Sequence, residues 1–305
     1  RWERMRVAIV GYGYVGKGME KIFPDALIYD TAFKAFIKSA SKEQVNACDL
    51  AIVCVPTPPQ GIAEQFISDE QSEFLPVDIG IVEEVISWLE TPLILIKSTV
   101  PPGTTDRLKQ KYGKRICFSP EYMGEGGYYI PANYPDPENP MQHSFMIIGG
   151  EQKDCDEILD IFIKRMGPAK QYYSCSATEA ELIKYMENTW IATKVTFANT
   201  WYDICQSFGA SYHNVRHGWA LDPRVDPMHT AVFPDKRGFG GKCLPKDLHG
   251  IISAARSKEY IPKLLQEVWY ANQKIRGVEY EYLWHKYGLR KDGTIGSETK
   301  ENPVV

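Results

Sequence analysis

Apolar and polar positions follow two rhythms along the first half of the chain. Short, almost wholly apolar runs fall at residues 7–10, 27–29, 50–55, 93–97, 116–119 and 145–148. Runs of that length with consecutive apolar residues are the pattern of strands buried on both faces. Between them lie stretches with apolar residues three and four apart: the run from Gly16 to Phe23, then 77–89, 105–112 and 154–166. These read as amphipathic helices. Strands alternating with helices predict an α/β protein with a doubly wound, mostly parallel sheet. Residues 125–143 are rich in Gly, Tyr, Pro and Asn and read as a long loop, either a lid or a packed segment. From Ser176 the rhythm changes. Thr178-Glu179-Ala180-Glu181 reads as a capping box opening a helix that runs to about Phe208, where Gly209 stops it. A second long helix is expected over 261–287, and a polar, disordered tail over 290–305. The expected division is a sheet domain at 1–175, a helical central domain at 176–289 and the tail.

The first strand leads into Gly11-Tyr12-Gly13-Tyr14-Val15-Gly16, a G-x-G-x-x-G turn with a strand before it and a helix after it. In that context Gly11 makes the tight turn, Gly13 lets a pyrophosphate approach the backbone, and Gly16 lets helix and strand pack closely. The helix N-terminus then offers free N–H groups to the phosphates. The second strand ends in Asp30, placed to accept from adenosine ribose hydroxyls and to repel a 2′-phosphate. The sheet is therefore expected to be Rossmann-type with NAD as cofactor, with Lys34 the nearby residue that would suit NADP. A glycine turn in an unrelated α/β protein is the plainer alternative.

Ligands in such sheets bind beyond the carboxyl ends of the strands. Polar residues cluster there: Pro56-Thr57-Pro58, Ser98-Thr99-Val100-Pro101-Pro102-Gly103-Thr104 and Ser119-Pro120-Glu121. Each is also compatible with ordinary turn chemistry. Lys184 and Asn188 share a face of the long helix, with Glu181 and Asn199 near the same stripe. A solvated face is the alternative there. The segment of greatest chemical interest is Gly238-Phe239-Gly240-Gly241-Lys242-Cys243-Leu244-Pro245-Lys246-Asp247. It puts one cysteine on a glycine-rich turn before a helix start, beside two lysines. Such a thiol has a lowered pKa and is a candidate nucleophile. Asp247 lies one helical turn on. A tight turn with a structural cysteine is the other reading.

Length and charge narrow the classes. The 305 residues suit two domains, and a formal net charge of −4 gives no basic nucleic-acid surface. No apolar run is long enough to span a bilayer, and no signal segment precedes the first strand. Seven cysteines without C-x-x-C pairs fit a reducing, cytoplasmic setting better than a disulfide framework, and no metal site is expected.

Taken together, the chain resembles the nucleotide-sugar dehydrogenases of the UDP-glucose/GDP-mannose dehydrogenase family. The matching segments appear in the family's order: 10–16, 55–58, 97–104, 119–122, 181–188 and 240–247. The resemblance implies NAD-dependent oxidation of the C6 alcohol of a nucleotide sugar to a carboxylate, with two NAD molecules per turnover and UDP-glucose the commonest family substrate. It implies Cys243 as the nucleophile of a thiohemiacetal and then a thioester. Lys184 and Asn188 would stabilise the oxyanion, and Asp247, Glu125 and Thr99 would hold and activate water. Gly11, Tyr12, Gly13, Tyr14, Val15, Gly16, Asp30, Pro56, Thr57, Thr99 and Glu121 would line the cofactor. Glu121, Tyr122, Lys184, Asn188, Arg224, Phe239, Gly240 and Lys246 would meet the substrate. In the family that arginine reaches across a dimer interface, so a homodimer through the central helices is implied. Two departures stand out. Gly124 replaces the family's basic residue before Glu125, and no strand–helix repeats follow the central helices to build the family's C-terminal nucleotide-binding domain. The alternatives are a two-electron oxidoreductase acting on a small hydroxy acid or free sugar, and a silent NAD-binding subunit that needs a partner.

Overall fold

The computed structural model describes residues 5–31, 39–60, 74–123, 136 and 138–277. Lys34, Gly124, Glu125, most of the expected loop over 125–143, the far end of the expected helix over 261–287 and the tail lie outside the described residues. The chain divides into two compact units, one of residues 1–58 and 77–184, the other of residues 59–76 and 185–305.

The first unit is a seven-stranded sheet with helices. In chain order it runs β1 (Val7–Val10), α1 (Tyr14–Ile22), β2 (Leu27–Tyr29), α2 (Lys42–Asn46), β3 (Leu50–Val53), α3 (Gly80–Trp88), β4 (Leu93–Ile96), α4 (Thr104–Tyr112), β5 (Ile116–Phe118), β6 (Phe145–Gly149), α5 (Gln152–Met166) and β7 (Gln171–Cys175). The strand order is β2-β1-β3-β4-β5-β6-β7. All neighbours are parallel except β5 and β6. The order reverses at β1, so the glycine turn stands at the switch point of a Rossmann-type sheet.

β1, β3 and β4 are apolar at every position because both faces are covered. Val7, Ile9, Leu50, Ile52, Leu93 and Leu95 pack with Met19, Ile22 and Phe23 of the α1 region and Ile158, Ile161 and Phe162 of α5. Ala8, Val10, Ala51, Val53, Ile94 and Ile96 pack with Val82, Val85 and Ile86 of α3 and Leu108 of α4. Burying each Leu or Ile contributes about 1.5–3 kcal/mol, and the period of two fixes which residue faces which layer.

Two elements of this unit lie outside the sequence expectations. α2 opens with a capping box in which Ser41 and Gln44 satisfy each other's backbone N–H groups. β7 is an edge strand whose alternation of exposed Gln171 and Tyr173 with half-buried neighbours is too polar to stand out. The box that opens the long helix is also displaced. Ser176, not Thr178, is the cap, with Glu179 accepting from the Ser176 backbone and hydroxyl at 2.8 and 2.7 Å. Glu181, the expected partner, is buried and used elsewhere.

The long helix, α6 (Ala177–Ser207), begins in the first unit and ends in the second. The second unit continues with α7 (Tyr212–Trp219), α8 (Cys243–Arg256) and α9 (Lys263–Arg276), the last closed by Gly277 in the left-handed conformation. Its core gathers Phe74, Ala192, Phe239, Leu248, Ile252, Val268 and Trp269. All seven cysteines are free thiols, and no described helix is long and apolar enough to cross a membrane.

His249 of α8 lies inside this core. Its ring meets Trp269 edge-on at 4.3 Å, and its Nδ1 accepts from the Leu75 N–H at 3.4 Å. Its Nε2 has no hydrogen-bond partner among the described residues. Burial therefore pushes the imidazole from 6.5 down to about 4. The unfolded chain takes up this proton below pH 6.5 while the folded protein refuses it until about pH 4. Stability is thus fully present above the unfolded value and declines as pH falls towards the folded one, by about 3 kcal/mol in all. His249→Gln should flatten this acid slope in denaturant unfolding followed by tryptophan fluorescence. An unchanged slope would remove His249 as its source.

Candidate functional site

The first unit builds its polar face at the carboxyl ends of β1 to β5. Gly11 has a φ of +93°, and a Cβ there would come within 2.8 Å of the Cys54 carbonyl group. A Cβ on Gly16 would lie 2.1 Å from the Gly11 oxygen. These two glycines are demanded by the protein's own packing. Gly13 differs: its φ is an ordinary −78°, and none of the described residues lies within 4 Å of where a Cβ would stand. α1 starts there with no side-chain cap and no acidic residue in its first turn, so its N-terminal end favours an anion. Tyr14 and Val15 are half-buried in that turn, and the Tyr12 hydroxyl is tied to Glu20. Asp30 follows β2, and its Oδ2 accepts from the Tyr12 N–H at 2.6 Å. The carboxylate is thereby fixed against the glycine turn. This cradle fits a dinucleotide.

The next strand ends are cross-tied. Thr57, buried, donates to the Thr99 carbonyl at 2.8 Å, and Ser98 donates to the Val55 carbonyl at 2.6 Å. Pro56 stands exposed beside them. Glu181 reaches from α6 into the start of α4. Its carboxylate accepts from the Gly103 N–H at 2.5 Å, the Thr105 N–H at 2.8 Å and the Thr105 hydroxyl at 2.6 Å. Burial nevertheless pushes its pKa up to about 7, against the pull of those donors.

A third cluster surrounds the end of β5. Buried Lys97 donates to the Ser119 hydroxyl at 3.2 Å and the Pro120 carbonyl at 2.9 Å, and stands 3.6 Å from Glu121 Oε2. Burial holds the Lys97 ammonium below its ordinary pKa, partly offset by the neighbouring Glu121 carboxylate. Glu121 Oε1 accepts from the Met123 N–H at 2.5 Å, while Oε2 is buried with no hydrogen-bond partner among the described residues. Lys184 of α6 donates to the Glu121 carbonyl and lies 5.5 Å from the centre of the Tyr122 ring. Lys97 was not singled out from the sequence. Its signal was a lysine closing an otherwise apolar strand, Leu93-Ile94-Leu95-Ile96-Lys97.

The second unit holds a separate polar group. Cys243 is the first residue of α8 and is exposed, whereas Asp247, one turn later, is 1% exposed. Asn188 Nδ2 donates to Asp247 Oδ2 at 2.5 Å, and Lys246 donates to Oδ1 at 2.6 Å. A carboxylate so deeply buried needs such donors, and both of its oxygens have one. Phe239 turns its ring into the core, and both its backbone N–H and its carbonyl are taken by Asn272. Gly240 passes so close to Arg276 that a Cβ would lie 2.8 Å from the guanidinium. Arg224 is exposed and paired with Asp222 at 2.5 Å. Among the expected site residues, the structure thus joins Tyr12 with Asp30, Thr57 with Thr99, Glu121 and Tyr122 with Lys184, and Asn188 and Lys246 with Asp247. It engages Arg224 and the Phe239 backbone with other partners.

Fold and site define a dinucleotide-binding α/β protein that carries a second, helical unit with a cysteine at a helix start. The model of the UDP-glucose/GDP-mannose dehydrogenase family's NAD binding domain matches residues 25–165, and that of its central domain matches residues 178–274. The chain belongs to this family, and its cofactor is NAD. A UDP-glucose 6-dehydrogenase of Rickettsia bellii is 28% identical over 262 residues, which are 84% of this chain and 56% of that protein. One of Rickettsia prowazekii is 30% identical over 187 residues, 59% of this chain and 41% of that protein. The chain therefore spans about half the length of these relatives. Among solved structures, a UDP-glucose dehydrogenase from Pyrobaculum islandicum superposes with a TM-score of 0.72 at 22% identity, covering 90% of this chain and 69% of that one. A UDP-D-ManNAc dehydrogenase from Pyrococcus horikoshii gives 0.70 at 22% identity with the same coverage. These superpositions establish the fold.

Asp30→Ala removes a charged acceptor from the ribose end of the cradle and leaves the Tyr12 N–H without it. NAD binding, measured by calorimetry, should weaken about 10–100-fold, and preference over NADP should relax. An unaltered NAD/NADP ratio would show that Asp30 does not read the ribose.

Proposed function

We propose that this protein oxidises the C6 alcohol of a nucleotide-linked hexose to a carboxylate in two steps, with UDP-glucose as the leading substrate. The carrying observation is Asp247, buried and hydrogen-bonded between Asn188 and Lys246, one helical turn from exposed Cys243. A structural cysteine needs no such arrangement. The relatives named UDP-glucose 6-dehydrogenase support the choice of sugar.

Overall, alcohol, two NAD⁺ and water become carboxylate, two NADH and three protons. NAD held on the glycine turn supplies the acceptor for two electrons at each oxidation. Cys243 Sγ adds to the C6 aldehyde, forming a C–S bond and a thiohemiacetal. Its oxidation leaves a thioester on the sulfur. Lys184 and Asn188 supply a cation and an amide N–H to the oxygen as it gains charge. Asp247 takes a proton from the attacking water, with Thr99 and Glu125 assisting. The C–S bond then breaks and the thiolate is regenerated. Glu121, Tyr122, Phe239, Gly240, Lys246 and Arg224 contribute to holding the sugar nucleotide.

The protein acts as a homodimer in this reading. α6 exposes a run of large apolar side chains, Met186, Trp190, Phe197, Trp201 and Ile204, and Phe197 stacks near Trp219 of α7 at 6.2 Å. Exposed aromatic stripes of this kind mark interfaces, and a second copy presents the matching stripe.

With NAD and UDP-glucose the protein should form two NADH per sugar consumed. Cys243→Ser should abolish acid formation while leaving NAD binding intact. One NADH per sugar, or acid formed by the serine variant, would overturn the thioester route and favour a two-electron oxidoreductase. The absence of NADH with NAD still bound would favour a subunit that needs a partner. Trp190→Lys combined with Trp201→Lys should halve the mass seen by light scattering. An unchanged mass would rule out this face.

A further inference from the structure

The turn that precedes Cys243 is gripped by buried side chains from two helices of the second unit. Asn272 of α9 accepts from the Phe239 N–H through Oδ1 at 2.8 Å and donates to the Phe239 carbonyl through Nδ2 at 3.0 Å. Asn199 of α6 accepts from Arg237 Nε at 2.6 Å and from the Gly238 N–H at 3.2 Å. Both asparagines are almost wholly buried, at 1% and 2% exposure. Arg237 is held further by Asp203 at 2.8 Å and by the Tyr202 ring at 4.4 Å. Gly238 has a φ of +71°, and a Cβ on it would lie 2.5 Å from Asn272 Oδ1. The amide therefore occupies the very space that glycine leaves.

A two-bond contact from one side-chain amide to both polar groups of one residue is a substitute strand pairing for a loop that has none. Left alone, the buried Phe239 N–H and C=O would each carry a desolvation penalty, so the turn cannot drift without breaking the clamp. Phe239 lies four residues before Cys243. Its ring is buried with Leu248 and Ile252, which lie on α8 beyond Cys243. The clamp thus fixes the approach to α8 on one side of Cys243, and the core fixes α8 on the other.

We infer that Asn272, with Asn199 behind it, is a positioning residue that sets where Cys243 stands, without itself touching substrate or cofactor. The inference rests on the reading of Cys243 as the nucleophile. It also assigns a role to an asparagine in the middle of a helix that otherwise has no reason to bury an amide.

The test is Asn272→Ala in the full chain, with Asn272→Asp as the companion, which keeps the acceptor for the Phe239 N–H. In Asn272→Ala, exchange of the Phe239 amide should accelerate about tenfold or more. Iodoacetamide alkylation of Cys243, the exposed thiol among the seven, should slow about two- to fivefold as the first turn of α8 loosens around the sulfur. With UDP-glucose, kcat should fall roughly a hundredfold while KM for NAD holds, since a small misplacement of a reacting group has that cost. Asn272→Asp should keep the Phe239 amide protected and recover part of kcat. Wild-type exchange and alkylation in Asn272→Ala would overturn the clamp, and so would lost protection with kcat intact. A wild-type protein that makes no NADH while Asn272→Ala changes exchange and alkylation as expected would instead overturn the dehydrogenase reading and leave the clamp standing.

Discussion

A carboxylate with no access to water must be given donors, and Glu181 obtains all of its observed ones from one place. The Gly103 N–H, the Thr105 N–H and the Thr105 hydroxyl converge on it. Those N–H groups belong to the start of α4, where a helix has no internal acceptors to offer. The helix end and the buried charge therefore complete each other, and the loop between β4 and α4 is held at its far end. Its near end is held by the cross-tie from Thr57 to Thr99. A polar loop at the end of a strand is thereby hydrogen-bonded at both of its ends.

The same economy recurs along α6. Lys184, one turn after Glu181, donates to the Glu121 carbonyl and so pins the segment after β5. Asn188, a further turn on and in the second unit, donates to Asp247. Farther still, Asn199 receives Arg237 and Gly238. Glu181, Lys184, Asn188 and Asn199 each tie the helix to a different segment of the chain, while buried Thr189 and Thr196 satisfy their hydroxyls on carbonyls of the preceding turn, and in these two ways a helix of 31 residues carries its polar groups inward.

How much of this was legible in the sequence depends on whether a residue's partners were near it in the chain. The central strands β1, β3 and β4 announce themselves because both faces are buried and every position is apolar. The glycine turn is equally plain, since strand, turn and helix are contiguous. β7 escaped notice because an edge strand wears polar residues on one side. α2 escaped although Ser41 and Gln44 spell out its cap, because five residues are too few for periodicity to show. Thr178 and Glu181 are spaced as a capping box, but Ser176 and Glu179 form it, and the partners of Glu181 lie 76 and 78 residues away. Lys97 shows only as a lysine closing an apolar strand, and Asn272 shows no local signal, because their partners are likewise distant. Cys243 and Asp247 are paired by helical spacing, but the donors that Asp247 receives, from Asn188 and Lys246, are only partly local.

The three glycines of the dinucleotide turn are not equivalent in what they record. Gly11 and Gly16 are fixed by contacts with Cys54 and with each other, so drift at either position is opposed by folding itself, whether or not the protein still binds anything. Gly13 has ordinary φ and no described residue within reach of a Cβ. Of the three, it is therefore the position at which folding and ligand binding can be separated: a side chain there leaves the described packing untouched and alters only what can approach the start of α1.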